Sequence, residues 1–144
     1  MDNVAEQLQI ESLIPTAKIY SRKAIYGATF LGGPLVSGYL VAENFKVFGE
    51  AEKARMALMI SIVFTIVIFG ISFLIGSSGH FPSYIIPLMY SYVASLLVQE
   101  FQGKKIQQHL DAGGLTYGFW PVFGIALLGL VITVLILFAV VYMI

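Results

Sequence analysis

Apolar and polar residues fall into long blocks along this chain. Four stretches, 24–42, 56–75, 81–98 and 119–144, are almost wholly apolar, and they are separated by polar segments. A helix needs about 20 apolar residues to cross a ~30 Å hydrocarbon core, so each block is near the length of one span. The last two polar-to-apolar boundaries carry proline. Pro82 stands at the start of the third block, Pro87 lies inside it, and Pro121 opens the fourth. Pro87 is expected to kink its helix, with Ser83 helping to satisfy the freed carbonyl, whereas Pro121 suits a first helical turn.

The first block contains a break. Gly32-Gly33-Pro34 sits in the middle of AIYGATFLGGPLVSGYLVA. Glycine accepts the left-handed backbone that ends a helix, and proline fits the first turn of the next. The triplet therefore predicts helix, turn, helix, with one arm over 22–31, capped by Ser21, and another over 34–44. Ten residues of helix give roughly 15 Å, about half a bilayer core. Two such arms can enter the membrane and leave by the same face; the alternative is one kinked crossing.

Charge distinguishes the two. Lys18, Arg22 and Lys23 precede the first block, Lys46, Lys53 and Arg55 follow it, and Lys104 and Lys105 lie in the segment 99–118. If the first block crosses, the basic residues divide five against three; if it re-enters, all eight share one face. The positive-inside rule favours the second arrangement. The expected fold is an all-α membrane protein with three transmembrane helices plus a re-entrant hairpin broken at Gly32-Gly33-Pro34. A four-helix transmembrane bundle is the alternative. Residues 1–23 form a cytoplasmic tail with a helix stopped by Pro15, and 24–144 form one membrane domain. The expected location is a cell inner membrane, multi-pass, with the N-terminus cytoplasmic and the C-terminus outside.

Composition agrees. Of 144 residues, 58% are hydrophobic and 11% charged, with a net charge of zero, which leaves no electrostatic footprint for nucleic acid. There is no cysteine, so thiolate metal sites, disulfides and cysteine nucleophiles are excluded. The first apolar run follows several charged residues and lacks a cleavage-site pattern, so no cleaved signal peptide is expected.

Candidate chemistry is sparse. Every acidic residue falls in a tail or polar segment, which weighs against a proton- or ion-coupled transporter. His80 lies in the loop Gly76-Ser77-Ser78-Gly79-His80 and reads as solvated. His109 near Asp111 reads as a structural hydrogen bond or loop cap, with an acid–base pair of an intramembrane enzyme as the least favoured alternative, and two histidines about thirty residues apart do not make a metal site. The hydroxyls of Ser37, Ser61, Thr65 and Ser91 are expected to bond to helix backbone. Glu50 with Lys53 and Glu52 with Arg55 are spaced to pair on a helix that starts near Glu50. Ile106 and Leu110 suggest a short amphipathic turn within 99–118. The start of the arm at Pro34 offers a weak anion site if its N–H groups stay unpaired. Small residues four apart, such as Ala28 with Gly32, Gly38 with Ala42, Ser61 with Thr65 and Ser91 with Ser95, allow close helix approach. No catalytic, cofactor or metal residues are expected.

Two stretches resemble a known family. ATFLGGPL with Gly38, Leu40, Ala42, Asn44, Phe45 and Gly49, and then Gln102-Gly103, Ile106, His109, Gly113-Gly114 and Trp120, resemble paired motifs of small bacterial integral membrane proteins of unassigned function. The resemblance implies a bacterial inner-membrane location and joint importance of the two motifs, and it implies no activity. The residues expected to matter are Gly32, Gly33, Pro34, Asn44, His109, Gly113, Gly114 and Trp120, in structural or interaction roles. The expected function is a non-enzymatic structural or accessory subunit with a cytoplasmic-face interaction surface, partnered by the bilayer and by further copies or a membrane complex. A small oligomeric channel or transporter lined by the hairpin is the alternative.

Overall fold

A computed structural model describes residues 2–13, 15–76, 79 and 82–144. Within them the chain forms six helices: α1 (Asp2–Leu13), α2 (Arg22–Gly32), α3 (Pro34–Val47), α4 (Ala51–Gly76), α5 (Ile85–Asp111) and α6 (Phe119–Met143). No strand occurs among the described residues, only an isolated parallel bridge between Ile19 and Thr116. His80, and most of the loop expected around it, lie outside the described residues.

The break at the glycine–proline triplet forms as its chemistry dictates. Gly33 takes φ +88°, a region closed to most L side chains, and donates its N–H to the Thr29 carbonyl at 2.8 Å. Pro34 then occupies the first position of α3. Ser21 caps α2, its hydroxyl accepting from the Ala24 N–H at 3.2 Å. The two arms fold back on one another, so Tyr20 at the foot of α2 meets Asn44 late in α3. That meeting rules out a single kinked helix over 24–42.

This hairpin is the hub of the molecule. Helix α4 packs on α3, while α5 and α6 pack chiefly on α2, and the three long helices pack far less on one another than on the hairpin. Small residues make the approach close. A Cβ on Gly38 would collide with the Ser61 side chain of α4, and one on Gly32 would lie 2.7 Å from the Ala126 carbonyl of α6. Gly129 of α6 is closed in the same way by Val36. The small residues Gly32, Gly38 and Gly129 thus serve close helix approach within the chain.

Helices α4 and α6 are long and apolar enough to cross a membrane, and almost all of their surface faces outward. Only Ala54 and Ser61 of α4, and Val122, Ala126 and Gly129 of α6, are buried. In water, so much exposed Ile, Val, Leu and Phe would drive aggregation, so these surfaces point to a membrane location.

Helix α5 departs from expectation. It begins at Ile85 and runs unbroken to Asp111, through the segment expected to be a loop. Pro87 therefore lies in the first turn, where no intrahelical N–H is needed, and it does not kink the interior. Ser83 precedes the helix and has no carbonyl there to relieve. Ile106 is buried but Leu110 is exposed, so the two do not share a buried side. The expected boundaries 81–98 covered only the apolar half of this helix. Helix α3 likewise runs to Val47, three residues past Asn44, and its turn is Phe48-Gly49.

Candidate functional site: a polar interlock at the charged end

The two motif stretches meet at the charged end of the hairpin. Asn44 and Gln102 are both fully buried, on α3 and α5. The Asn44 carboxamide oxygen accepts from the Tyr20 N–H at 2.7 Å, and its nitrogen donates to the Tyr20 carbonyl at 2.9 Å. That nitrogen also reaches Gln102 Oε1 at 3.3 Å, and Gln102 Nε2 donates to the Val41 carbonyl at 2.9 Å. Asn44 thus mimics a strand neighbour for one residue of extended chain. It is a clasp that closes the hairpin and ties it to α5.

The next segment is held on the other side. The Ile19 N–H donates to the Leu115 carbonyl at 3.2 Å, and the Tyr117 N–H donates to the Ile19 carbonyl at 2.9 Å. The Tyr20 and Tyr117 rings stack with centroids 4.3 Å apart. Burial, with the neighbouring Tyr117 adding to it, pushes the Tyr20 phenol up to about 12.

His109 completes the interlock. It is buried in the last turn of α5, with Nε2 3.0 Å from the Leu115 carbonyl. A carbonyl oxygen only accepts, so Nε2 carries the hydrogen. Helix α5 ends in a Schellman arrangement: Gly113, at φ +83°, donates to the Leu110 carbonyl, and Gly114 donates to the His109 carbonyl at 2.8 Å. A side chain on Gly114 would strike the imidazole ring. The glycine pair therefore turns the chain and makes room for the histidine that holds Leu115 in place. Asp111 accepts instead from Gln107 at 2.8 Å, so it forms no pair with His109.

Charged side chains frame this core. Arg22 donates from Nε to Ser95 Oγ at 3.1 Å and from Nη1 to Gln99 Oε1 at 2.8 Å, pinning the start of α2 to α5. Glu50 bridges Lys53 at 2.6 Å and also Lys105, which links the α3–α4 turn to α5. Lys46 pairs with Glu43 at 2.6 Å, which raises the Lys46 ammonium above its ordinary value. Glu52–Arg55 is not among the ion pairs of the described residues. Ser61 and Thr65 bond to helix carbonyls as expected, whereas the buried Ser91 hydroxyl has no hydrogen-bond partner among the described residues.

The expected residues thus separate into three places. Asn44, His109, Gly113 and Gly114 come together in the interlock. Gly32, Gly33 and Pro34 form the corner at the opposite end of the hairpin, buried against α6. Trp120 stands apart on α6, 77% exposed and clustered with Phe119 and Phe123. The anion site at Pro34 does not form, because the Val36 and Ser37 N–H groups turn back to the Gly33 carbonyl at 3.2 and 3.4 Å. Gln102 belongs to the second motif and Arg22 is a basic residue at the start of the first arm, whereas the part of Tyr20 and its stacking on Tyr117 have no signal in the sequence. The spacing of Ser91, Ser95, Val98, Gln102, Ile106 and His109 on one helical face carried the signal for Gln102.

No group of three or more metal-ligating side chains assembles among the described residues. Asn44, Gln102 and His109 each bond to backbone, and His109 also lines a pocket with Thr16, Val47, Phe48 and Lys105. The arrangement can position chain segments with high precision. Compared with protein-family models, curated proteins and solved structures, the chain matches none.

Proposed function

We propose that this chain is a non-enzymatic integral membrane protein, an accessory subunit of a bacterial inner-membrane assembly, which presents a shaped surface at its cytoplasmic face. The hairpin re-enters from that face. Helices α4, α5 and α6 each cross, the N-terminus is cytoplasmic and the C-terminus lies outside. In this arrangement the basic residues and the polar interlock sit at one membrane surface, as the positive-inside rule favours.

One observation carries the reading. On the charged end, among residues that would stand in water, apolar side chains remain uncovered: Leu115 is 62% exposed and Leu110 41%. Val47, at the end of α3, is 40% exposed. The interlock holds the backbone carbonyls of Leu110 and Leu115, so these exposed side chains stand on a fixed support ready for a partner. The channel reading has less support, since the hairpin corner is buried in protein and no ionisable side chain lies along the apolar faces.

Photo-crosslinking from positions 110 and 115 in native membranes tests the proposal. Adducts to a specific partner, abolished by Leu115→Lys with the fold intact, are the expected result. Ion or solute flux in proteoliposomes that disappears with Gly33→Leu would replace the accessory reading with a pore.

A further inference from the structure

A groove of about 430 Å³ runs between α2 and α6, and its two ends differ in chemistry. Ser21 and Lys23 stand at one end; below them the walls are Gly27, Leu31, Phe123 and Ala126. No acidic residue lines it. Lys23 is exposed and has no hydrogen-bond or ion-pair partner among the described residues, unlike Arg22 beside it, which is tied to α5. A Cβ at Gly27 would meet nothing within 4 Å, so the groove floor is open.

From these features we infer that the groove is a binding site for one anionic phospholipid of the cytoplasmic leaflet. The inference rests on the hairpin re-entering from the basic face, which places Lys23 at headgroup depth. From Lys23 to Leu31 a helix rises roughly 12 Å, close to the ~15 Å of one hydrocarbon leaflet. An acyl chain lying over Gly27 would reach Leu31 while the phosphodiester stays beside Lys23 and the Ser21 hydroxyl. A zwitterionic lipid fits the same walls but gains less from an unpaired ammonium, and basic sites between membrane helices on the cytoplasmic side select anionic headgroups. The lipid would seal the α2–α6 seam, which small residues close only near Gly32 and Gly129.

Native mass spectrometry of detergent-purified protein, supplied with equal phosphatidylglycerol and phosphatidylcholine, tests this. One phosphatidylglycerol retained per chain, with about fivefold preference, is expected. Lys23→Gln should abolish the preference, Lys104→Gln should keep it, and Gly27→Phe should remove the bound lipid. Equal retention of both lipids by the native chain, or unchanged retention in Gly27→Phe, overturns the site. Substitution at Gly27 also raises helix propensity; should the variant nevertheless not fold, the Lys23→Gln comparison decides alone. Cysteine labelling at positions 22 and 53 separates the two levels: accessibility from one side with no lipid selectivity removes the lipid site and leaves the re-entrant hairpin standing.

Discussion

Asn44 shows how much one buried amide can organise. Its carboxamide closes the foot of the hairpin by bonding both backbone groups of Tyr20 and the Gln102 side chain. Removing it leaves buried donors and acceptors without partners, at about 1–3 kcal/mol each before relaxation. Asn44→Ala should lower the unfolding free energy by about 2–4 kcal/mol, measured by thermal or denaturant unfolding in micelles; a change under half a kcal/mol would show that the clasp is incidental. Tyr20 adds a pH dependence. Its phenol ionises at about 12 in the folded chain against an ordinary value of 10. The folded state thus disfavours the phenolate. The stability due to the neutral phenol is complete below pH 10 and is lost as pH rises toward 12. The native chain should therefore lose stability relative to Tyr20→Phe across that window, by an amount of order 2 kcal/mol. Parallel alkaline titrations check this, and a constant difference would refute it.

At the scale of elements, α3 and α4 meet through Gly38 and Ser61 with no room for an added methyl. Gly38→Ala should cost about 1–3 kcal/mol through overpacking, and Ser61→Gly should recover part of that loss although glycine alone weakens α4. A double-mutant cycle with coupling near 1 kcal/mol is expected; strict additivity would mean that the helices simply separate. Gly124→Ala, where an added Cβ meets nothing, should be neutral or slightly stabilising.

Which elements were legible in the sequence follows from the same physics. The α2–α3 corner was readable because glycine and proline act locally on backbone angles. The Ser21 cap and the start of α4 were readable for similar reasons. The polar half of α5 is hidden from hydropathy, because Gln99, Glu100, Lys104 and Lys105 look like a loop on that measure. Its buried stripe kept a helical spacing throughout, through Gln102 to His109. The clasp itself was not legible. It joins Asn44 to a backbone 24 positions away and to a side chain 58 positions away, and no local pattern records such a pairing.

For the whole molecule, the hairpin lies at the centre and the long helices surround it. Labelling of cysteines placed at 22, 53 and 104 should occur from the same side of the membrane, and one at 144 from the other. Opposite sidedness for 22 and 53 would require a four-pass bundle. The central position of the hairpin also bears on how the protein is made. A ribosome delivers α2 and α3 before α5 and α6, yet their polar foot is completed by Gln102 of α5 and their corner is covered by α6. If the hairpin re-enters the membrane as proposed, until then it would hold unshielded amide groups that hydrocarbon cannot accommodate. Insertion is therefore expected to be post-spanning for this segment: the hairpin waits at the membrane surface, and docks only once α5 and α6 have emerged.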